Sequence, residues 1–297
     1  MIKRFTLFAV TNILVIAMIS IILNIFGIGG YVEAGGINHT SLMLYCLLWG
    51  MVGSIISLAI SRMTAKWMMG VKLIDPNATG EHDWLLRRTH EISKSAGLNK
   101  MPEVGVYNSP DVNAFATGPT KNRALVAVST GLLGAMNKDE VEGVLAHEVA
   151  HIANGDMVTM TLIQGVINAF VMFFARIVAF TISQKVDRRM NGIVHFVTIM
   201  ALQIAFGILG SMVTSWFSRQ REFRADSGSA KYVGRDKMIS ALKALERIKG
   251  KVQIPEQKEA MAALQISNNE TQSNFRMMLS THPSLDKRIK ALETMSH

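Results

Sequence analysis

The chain has 297 residues, of which 49% are hydrophobic, and a formal net charge of +9. Its only cysteine, Cys46, excludes a disulfide within the chain and a metal site built from several thiolates, so a metal would need histidine and carboxylate ligands. Basic proteins bind nucleic acids or anionic bilayers. The mean hydropathy of +0.25 favours the bilayer, and since the sequence has no nucleic-acid-binding motif we predict no nucleic-acid partner.

Four stretches are apolar and long enough to cross a bilayer, which takes about 20 residues of helix. They lie at residues 5–28, 41–60, 157–183 and 193–217. The first is longer than the roughly 7–15 apolar residues in the core of a signal peptide, so we interpret it as a retained helix. The sequence therefore predicts four transmembrane helices.

Basic residues flank the first pair of spans on one side only. Lys3 and Arg4 precede the first span, Arg62 and Lys66 follow the second, and the loop between the spans has no lysine or arginine. Because cytoplasmic loops are enriched in these residues, both ends of this hairpin are predicted to be cytoplasmic. The basic loop at residues 185–189 disagrees, since counting the crossings places it outside.

The distribution of polar sequence predicts the domains. Residues 1–60 are predicted to form an N-terminal transmembrane hairpin, and residues 157–217 a second hairpin inserted later. The polar regions at 61–156 and 218–297 are then predicted to form a single domain, which this insertion interrupts in sequence. The residues that indicate its chemistry lie next to the insertion.

The first polar region has clear patterns of secondary structure. EHDWLLRRTHEISKSAGL has helical apolar spacing with a stop at Gly97. PEVGVYN, VNAFATG and RALVAVS are typical of short strands separated by turn residues. Asn137 with Glu140 three residues later forms a capping-box pattern, which predicts a helix that ends at Gly155.

The stretch LAHEVAHIANGD contains His147, Glu148 and His151 in the pattern H-E-x-x-H. Residues four apart share one face of a helix, so both imidazoles can bind one metal ion. Neutral imidazoles suit zinc, and a catalytic zinc site has three protein ligands and a water molecule. Glu148 is placed to take a proton from that water. The alternative is a surface helix that has two histidines by chance.

The motif needs a third ligand. The metzincin continuation is absent, because Asn154 and Met157 stand where it needs Gly and His. A glutamate on a second helix is the other common solution, and SRQREFRADSGSA supplies Glu222. Asp226, one turn later, is a candidate for orienting an imidazole. Two spans separate His151 from Glu222, which returns the chain to the same side of the membrane; the alternative is that Glu222 pairs with neighbouring arginines on an exposed helix.

These motifs resemble those of the HtpX-type bacterial membrane zinc metalloproteases, which are related to the CAAX-processing Ste proteases. The similarity covers essentially the whole chain and includes NAFATG, LVAVSTGLL, HEVAHIANGDMVTMTLIQG, SRQREFRADSGSAK and THPSLDKRI. It implies an α+β fold, with a gluzincin-like, mostly helical domain and a small antiparallel sheet beside the four transmembrane helices. By matching positions it implies His147, His151 and Glu222 as ligands of one Zn²⁺, and Glu148 as the catalytic glutamate.

The resemblance also implies where the protein acts and on what. It implies an endopeptidase of the bacterial inner membrane with its active site facing the cytoplasm. The implied substrates are misfolded or damaged membrane proteins and unfolded polypeptides, in membrane protein quality control and stress response. The lipid bilayer is the other implied partner.

Two further segments are candidates for the site. Asn113, Ala114, Phe115 and Ala116 resemble the edge strand of the family, which would bind an extended peptide by main-chain hydrogen bonds. His282, before a proline in THP, is a candidate for approaching the zinc or the developing oxyanion. The alternatives are an ordinary amphipathic strand and a turn histidine.

Two other functions are compatible with parts of the sequence. An intramembrane protease would need the H-E-x-x-H helix within a span, which the charges of NKDEVEGVLAHEVAHIANGD oppose. A non-catalytic membrane scaffold would hold zinc for structure with a fourth protein ligand. Because no cysteine is available, His282 is the residue that would close such a site.

Overall fold

The computed structural model describes residues 32–33, 36–187, 189–252 and 279–295. The predicted span at residues 5–28 lies outside these described residues. The described residues form two compact units. One contains the described residues up to Ala59 together with Thr159–Thr214, and the other contains Ile60–Val158 together with the described residues from Ser215 onward. The functional division into a protease domain and two hairpins stays a prediction.

The described elements are mostly helices. The strands are β1 (Val32–Glu33), β2 (Gly36–Ile37), β3 (Lys72–Leu73), β4 (Glu103–Tyr107), β5 (Ala114–Thr117) and β6 (Leu125–Ser129). The helices are α1 (His39–Met68), α2 (Glu81–Ser95), α3 (Thr130–Ala135), α4 (Lys138–Asn154), α5 (Asp156–Ser183), α6 (Asn191–Val233), α7 (Arg235–Val252) and α8 (Leu285–Glu293). The predicted capped helix, the helix before Gly97 and the three predicted strands are all confirmed.

Three described helices, α1, α5 and α6, are long and apolar enough to cross a membrane. They have 30, 28 and 43 residues, and each contains a window with a mean hydropathy of 2.0. At about 1.5 Å per residue, each is longer than the roughly 30 Å hydrocarbon core. They correspond to the second, third and fourth predicted spans. The continuation of α6 beyond the apolar window brings polar residues, among them Glu222, into the second unit.

The larger sheet has the strand order β3–β4–β6–β5 and is mixed. β3 and β5 are antiparallel to their neighbours, whereas β4 and β6 are parallel. The predicted antiparallel sheet is therefore wrong. After β4 the chain forms β5, which runs in the opposite direction at the edge of the sheet. It then turns back and forms β6 between β4 and β5, so β6 is antiparallel to β5 and parallel to β4. Every residue of β6 is buried, as is typical of a strand covered on both faces.

Helix α4 is held at both ends by local interactions. The side chain of Asn137 accepts a hydrogen bond from the backbone N–H of Glu140 at 3.0 Å, and the Glu140 carboxylate accepts one from the N–H of Asn137 at 2.9 Å. Gly155 ends the helix with φ 72°, a left-handed conformation that favours glycine. Leu145 and Val149 pack in the main core together with valines of β6. The helix is therefore fixed against the sheet by its buried face.

Glu142 anchors the outer side of α4. Its carboxylate accepts hydrogen bonds from Arg88 of α2 and from Lys237 of α7, the latter at 2.9 Å. Burial would raise the pKa of Glu142, but these two cations outweigh burial and hold the pKa below its usual value. Three helices are thus joined through one buried carboxylate.

Gly143 allows close contact between α4 and α7. A Cβ at this position would lie 2.6 Å from the carbonyl oxygen of Lys237 and 2.9 Å from the Cβ of Ala241. The Ser229 hydroxyl of α6 donates a hydrogen bond to the carbonyl oxygen of Gly143 at 3.1 Å. No side chain fits here without moving the backbone of α7.

We expect Gly143→Ala to lower the free energy of unfolding by about 1–3 kcal/mol, because overpacking must separate two backbones. A lower thermal unfolding midpoint of the detergent-purified protein would measure this. Gly134→Ala in α3 is the control, since a Cβ there meets no atom within 4 Å and the change should be neutral or slightly stabilising. Equal midpoints for the two variants would contradict the close packing.

Candidate metal centre

Three buried side chains bring their donor atoms together at the junction of α4 and α6. His147 and His151 lie one turn apart on α4, and their Nε2 atoms are 3.1 Å apart. Glu222 of α6 places Oε2 3.5 Å from Nε2 of His147 and Oε1 3.3 Å from Nε2 of His151. Each residue thus offers one ligand atom, and all three atoms lie within 4.8 Å of one another. This arrangement suits a single metal ion.

The carboxylate of Glu222 is the most deeply buried of the three, with 1% of the residue exposed. Burial would raise its pKa, but the hydrogen bonds from His147, His151 and His282 outweigh burial and keep the pKa far below its usual value. Its Oε1 has only loose contacts among the described residues, at 3.3 Å from Nε2 of His151 and 3.6 Å from the Arg221 guanidinium. A buried anionic oxygen with such loose contacts is costly, and a bound cation would satisfy it.

Both imidazoles are held through their second nitrogen by an aspartate. Nδ1 of His147 is 2.9 Å from Oδ1 of Asp226, and Nδ1 of His151 is 2.7 Å from Oδ2 of Asp156. Burial lowers the pKa of both histidines, but the hydrogen bonds to carboxylates outweigh it and raise the pKa of His151 to about 9 and that of His147 above its usual value. The surroundings thus favour positive charge between the rings, which a divalent cation supplies.

Arg288 of α8 completes the buried network. Its Nε and Nη2 donate to the two carboxylate oxygens of Asp226 at 2.8 and 2.6 Å, and its Nη1 lies 3.6 Å from Oε2 of Glu222. Burial would raise the pKa of Asp226, but Arg288 and His147 outweigh it and lower the pKa. This bidentate contact fixes the aspartate that orients His147.

No local sequence pattern marks Arg288 or Asp156 as part of the site. Arg288 is 62 residues from its partner Asp226, and the only sequence signal was its place in THPSLDKRI. Asp156 follows His151 by five residues and lies beyond the end of α4, so helical spacing gives no indication of their contact.

His282 lies beside the metal-ligand candidates. Its Nδ1 donates to Oε2 of Glu222 at 2.8 Å, while 63% of its side chain is exposed. Two residues of α6 hold the preceding segment: the Ser215 hydroxyl donates to the carbonyl oxygen of Leu279, and Arg219 donates to that of Ser280. The histidine is therefore positioned by backbone contacts.

A cleft of about 1170 Å³ opens onto these residues. Glu148 lines it and is half-buried, next to His147. Asn113 and Ala114 line it where β5 begins, and β5 is one of the two edge strands of the described four-stranded sheet. Phe115 points to the other side of the sheet, where its ring lies 5.7 Å from that of Tyr107, and Ala116 packs against the main core with Ala114. The structure thus brings the first half of the predicted substrate strand to the cleft.

Known proteins are similar to this chain in sequence and in fold. Residues 80–296 match peptidase family M48. The chain belongs to peptidase family M48. A protein named Protease HtpX homolog from Bacillus licheniformis is 51% identical over 98% of this chain and 99% of its own length. The corresponding protein from Bacillus subtilis is 50% identical over 99% of both chains, and Protease HtpX from Acinetobacter baumannii is 47% identical over 98% of both.

The fold is also similar to that of a solved member of the Ste group. The crystal structure of S. mikatae Ste24p has a TM-score of 0.64 and 18% sequence identity, and it covers 98% of this chain. The chain spans 64% of the length of that protein, and at this identity the likeness concerns the fold alone. The family, the His–His–Glu cluster and the long apolar helices together identify the chain as a metalloprotease of a membrane.

We expect Glu222→Ala to remove most of the bound metal, because the two histidines alone leave the ion with two protein ligands. Metal per chain, measured by mass spectrometry on the detergent-purified protein, should fall to a small fraction of the wild-type content. Glu246→Ala, at an exposed position of α7, is the control and should keep full metal. Full metal content in Glu222→Ala would assign the third ligand to another residue, such as Asp226 or His282.

Proposed function

We propose that the protein is a zinc endopeptidase of the bacterial inner membrane that cleaves misfolded or damaged membrane proteins. The proposal rests on one observation: three buried side chains, whose nitrogen and carboxylate oxygen atoms approach one another to 3.1–3.5 Å, lie beside a large cleft that Glu148 lines. A tetrahedron with zinc–nitrogen bonds of about 2.1 Å has edges of about 3.4 Å, so the separations fit one zinc ion with a fourth position for water.

Glu148 is the proposed general base. When bound, zinc would lower the pKa of its water and polarise the scissile carbonyl. Glu148 is not needed as a ligand. It lines the cleft, and in the sequence it lies between the two ligand histidines. It would take the proton of the water and pass it to the leaving amine. His282 contacts Glu222 through Nδ1, and when its ring is protonated it would donate a hydrogen bond from Nε2–H to the developing oxyanion.

The edge strand β5 is the proposed binding site for the substrate backbone. An extended peptide would form main-chain hydrogen bonds with the free edge of β5, beginning at Asn113 and Ala114. Backbone hydrogen bonds do not depend on side chains. This mode therefore supports a protease that accepts many unfolded sequences, and such sequences occur in damaged membrane proteins.

The alternatives have less support. The H-E-x-x-H residues lie on α4, which packs into the core of the sheet and is not among the three helices suited to crossing a membrane. This opposes an intramembrane protease. The contact of His282 with Glu222 favours the non-catalytic scaffold, since it brings a fourth donor near the ion. The exposure of His282 and the open cleft beside Glu148 favour catalysis instead.

Glu148→Gln is expected to keep the bound zinc and to lower the cleavage rate by roughly 10²–10⁴-fold, because a glutamine cannot accept the proton. The measurement is cleavage of an unfolded, detergent-solubilised membrane protein, with metal content determined in parallel. Glu246→Gln on the exposed face of α7 is the matched control. Cleavage at the wild-type rate by Glu148→Gln would remove this residue from the mechanism.

The metal centre is proposed to face the cytoplasm, because Arg62 and Lys66 follow the second span. In a variant without Cys46, we expect a cysteine replacing Lys100 to react with an impermeant maleimide only after cell lysis. A cysteine replacing Asn191 should react in intact cells, since α5 and α6 are proposed to cross fully. Lys100 is exposed and Asn191 is partly exposed. Labelling at position 100 in intact cells would overturn the cytoplasmic assignment, and protection at position 191 would instead indicate a shallow hairpin.

A further inference from the structure

Asp156 is a buried carboxylate in contact with a candidate metal ligand. It is the first residue of α5 and is 2% exposed. Its Oδ2 lies 2.7 Å from Nδ1 of His151, and its Oδ1 lies 4.0 Å from the Arg224 guanidinium of α6. The Arg224 side chain is 64% exposed, so solvent screens this second contact. The closer and better shielded contact is the one with His151.

An acidic residue in the first turn of a helix has an ordinary role, which is to interact favourably with the helix dipole. Asp236 shows this role in its usual form, since it lies in the first turn of α7 and is exposed. Asp156 differs because it is almost fully buried and is within hydrogen-bond distance of an imidazole. The dipole alone gives no reason for either feature.

We propose that Asp156 is a positioning residue that fixes the ring and the tautomer of His151, so that Nε2 is free to bind the metal. An imidazole that donates Nδ1–H to a carboxylate must keep its lone pair on Nε2. That Nε2 lies 3.3 Å from Oε1 of Glu222, on the side where the metal would bind. Without the carboxylate, the ring is free to rotate and to move its proton to Nε2. This inference rests on the proposed metal site and adds a residue to it.

The orientation of both histidines then depends on the second hairpin. Asp156 lies at the start of α5, and Asp226, which contacts His147, lies on the polar extension of α6. Both helices continue into apolar spans. Gly155, with φ 72°, joins α4 to α5 and lets Asp156 approach the helix that bears His151. The residue therefore ties the motif helix to the first turn of a membrane helix.

The test compares zinc affinity in Asp156→Asn and in wild-type full-length protein, by competition with a chelating dye. Asparagine suits a helix start about as well as aspartate, but its amide has no charge and can turn its NH₂ toward the ring, which selects the wrong tautomer. We expect a 10–100-fold weaker zinc Kd. The visible absorption of the cobalt(II)-substituted protein should also change, because it reports ligand geometry. Asp236→Asn is the control and should change neither quantity.

A zinc Kd within about twofold of wild type in Asp156→Asn, or an unchanged cobalt spectrum, would overturn the proposal. If wild-type protein itself binds no zinc, the metal site fails, which is a different result. If Asp156→Asn does not fold, the proposal is tested on the zinc-bound wild-type protein instead. The NMR signals of the ring nitrogens and protons of its histidines show which nitrogen of His151 binds the metal. The proposal requires His151 to bind by Nε2 and to show a protected Nδ1–H, and metal binding through Nδ1 would disprove it.

Discussion

The structure depends most on a buried cluster of four ionisable groups whose charges are paired with one another. His147, His151 and Glu222 lie within 3.5 Å of each other, and Arg288 lies 3.6 Å from the carboxylate. A charge moved from water into the interior is costly unless it is paired and hydrogen-bonded. Burial of any one of these groups without the others would be unfavourable. The helices that bear them therefore have to pack together in the arrangement that pairs the charges. This requirement brings α4, α6 and α8 to one point.

The rest of the second unit keeps α4 rigid enough for this chemistry. The capping box at Asn137 and the left-handed Gly155 set where the helix begins and ends, and therefore which face bears the histidines. Gly143 lets α7 contact its backbone, and Glu142 joins it to α2 and α7. A metal site tolerates little displacement of its ligands, because bond lengths are fixed within a few tenths of an ångström. The close packing of α4 against its neighbours fixes the positions of the two histidines.

The sequence predicted the features that depend on local residue patterns. It did not predict the contacts between residues that are far apart in the chain. The capped helix, the three strands and the long apolar helices between residues 41 and 217 follow from periodicity, caps and turn residues, and each is confirmed. The antiparallel sheet implied by the family resemblance was wrong, because the order of short apolar runs does not indicate which strands pair or in which direction. Likewise His147, Glu148 and His151 form a motif within five residues. Arg288 reaches Asp226 across 62 residues, and Asp156 reaches His151 across a helix boundary.

The long apolar helices α5 and α6 separate the H-E-x-x-H motif from Glu222 along the chain. Glu222 and Asp226 lie on α6, the helix that returns from the second pair of apolar spans, and Asp156 begins α5, the helix that enters it. The candidate ligand Glu222 and the two aspartates that contact the histidines thus come from both ends of this apolar segment. A chain without the hairpin would need another connection that holds these two helix ends in the same places. Helices α5 and α6 therefore each contain both a long apolar segment and a carboxylate that contacts one of the proposed ligand histidines.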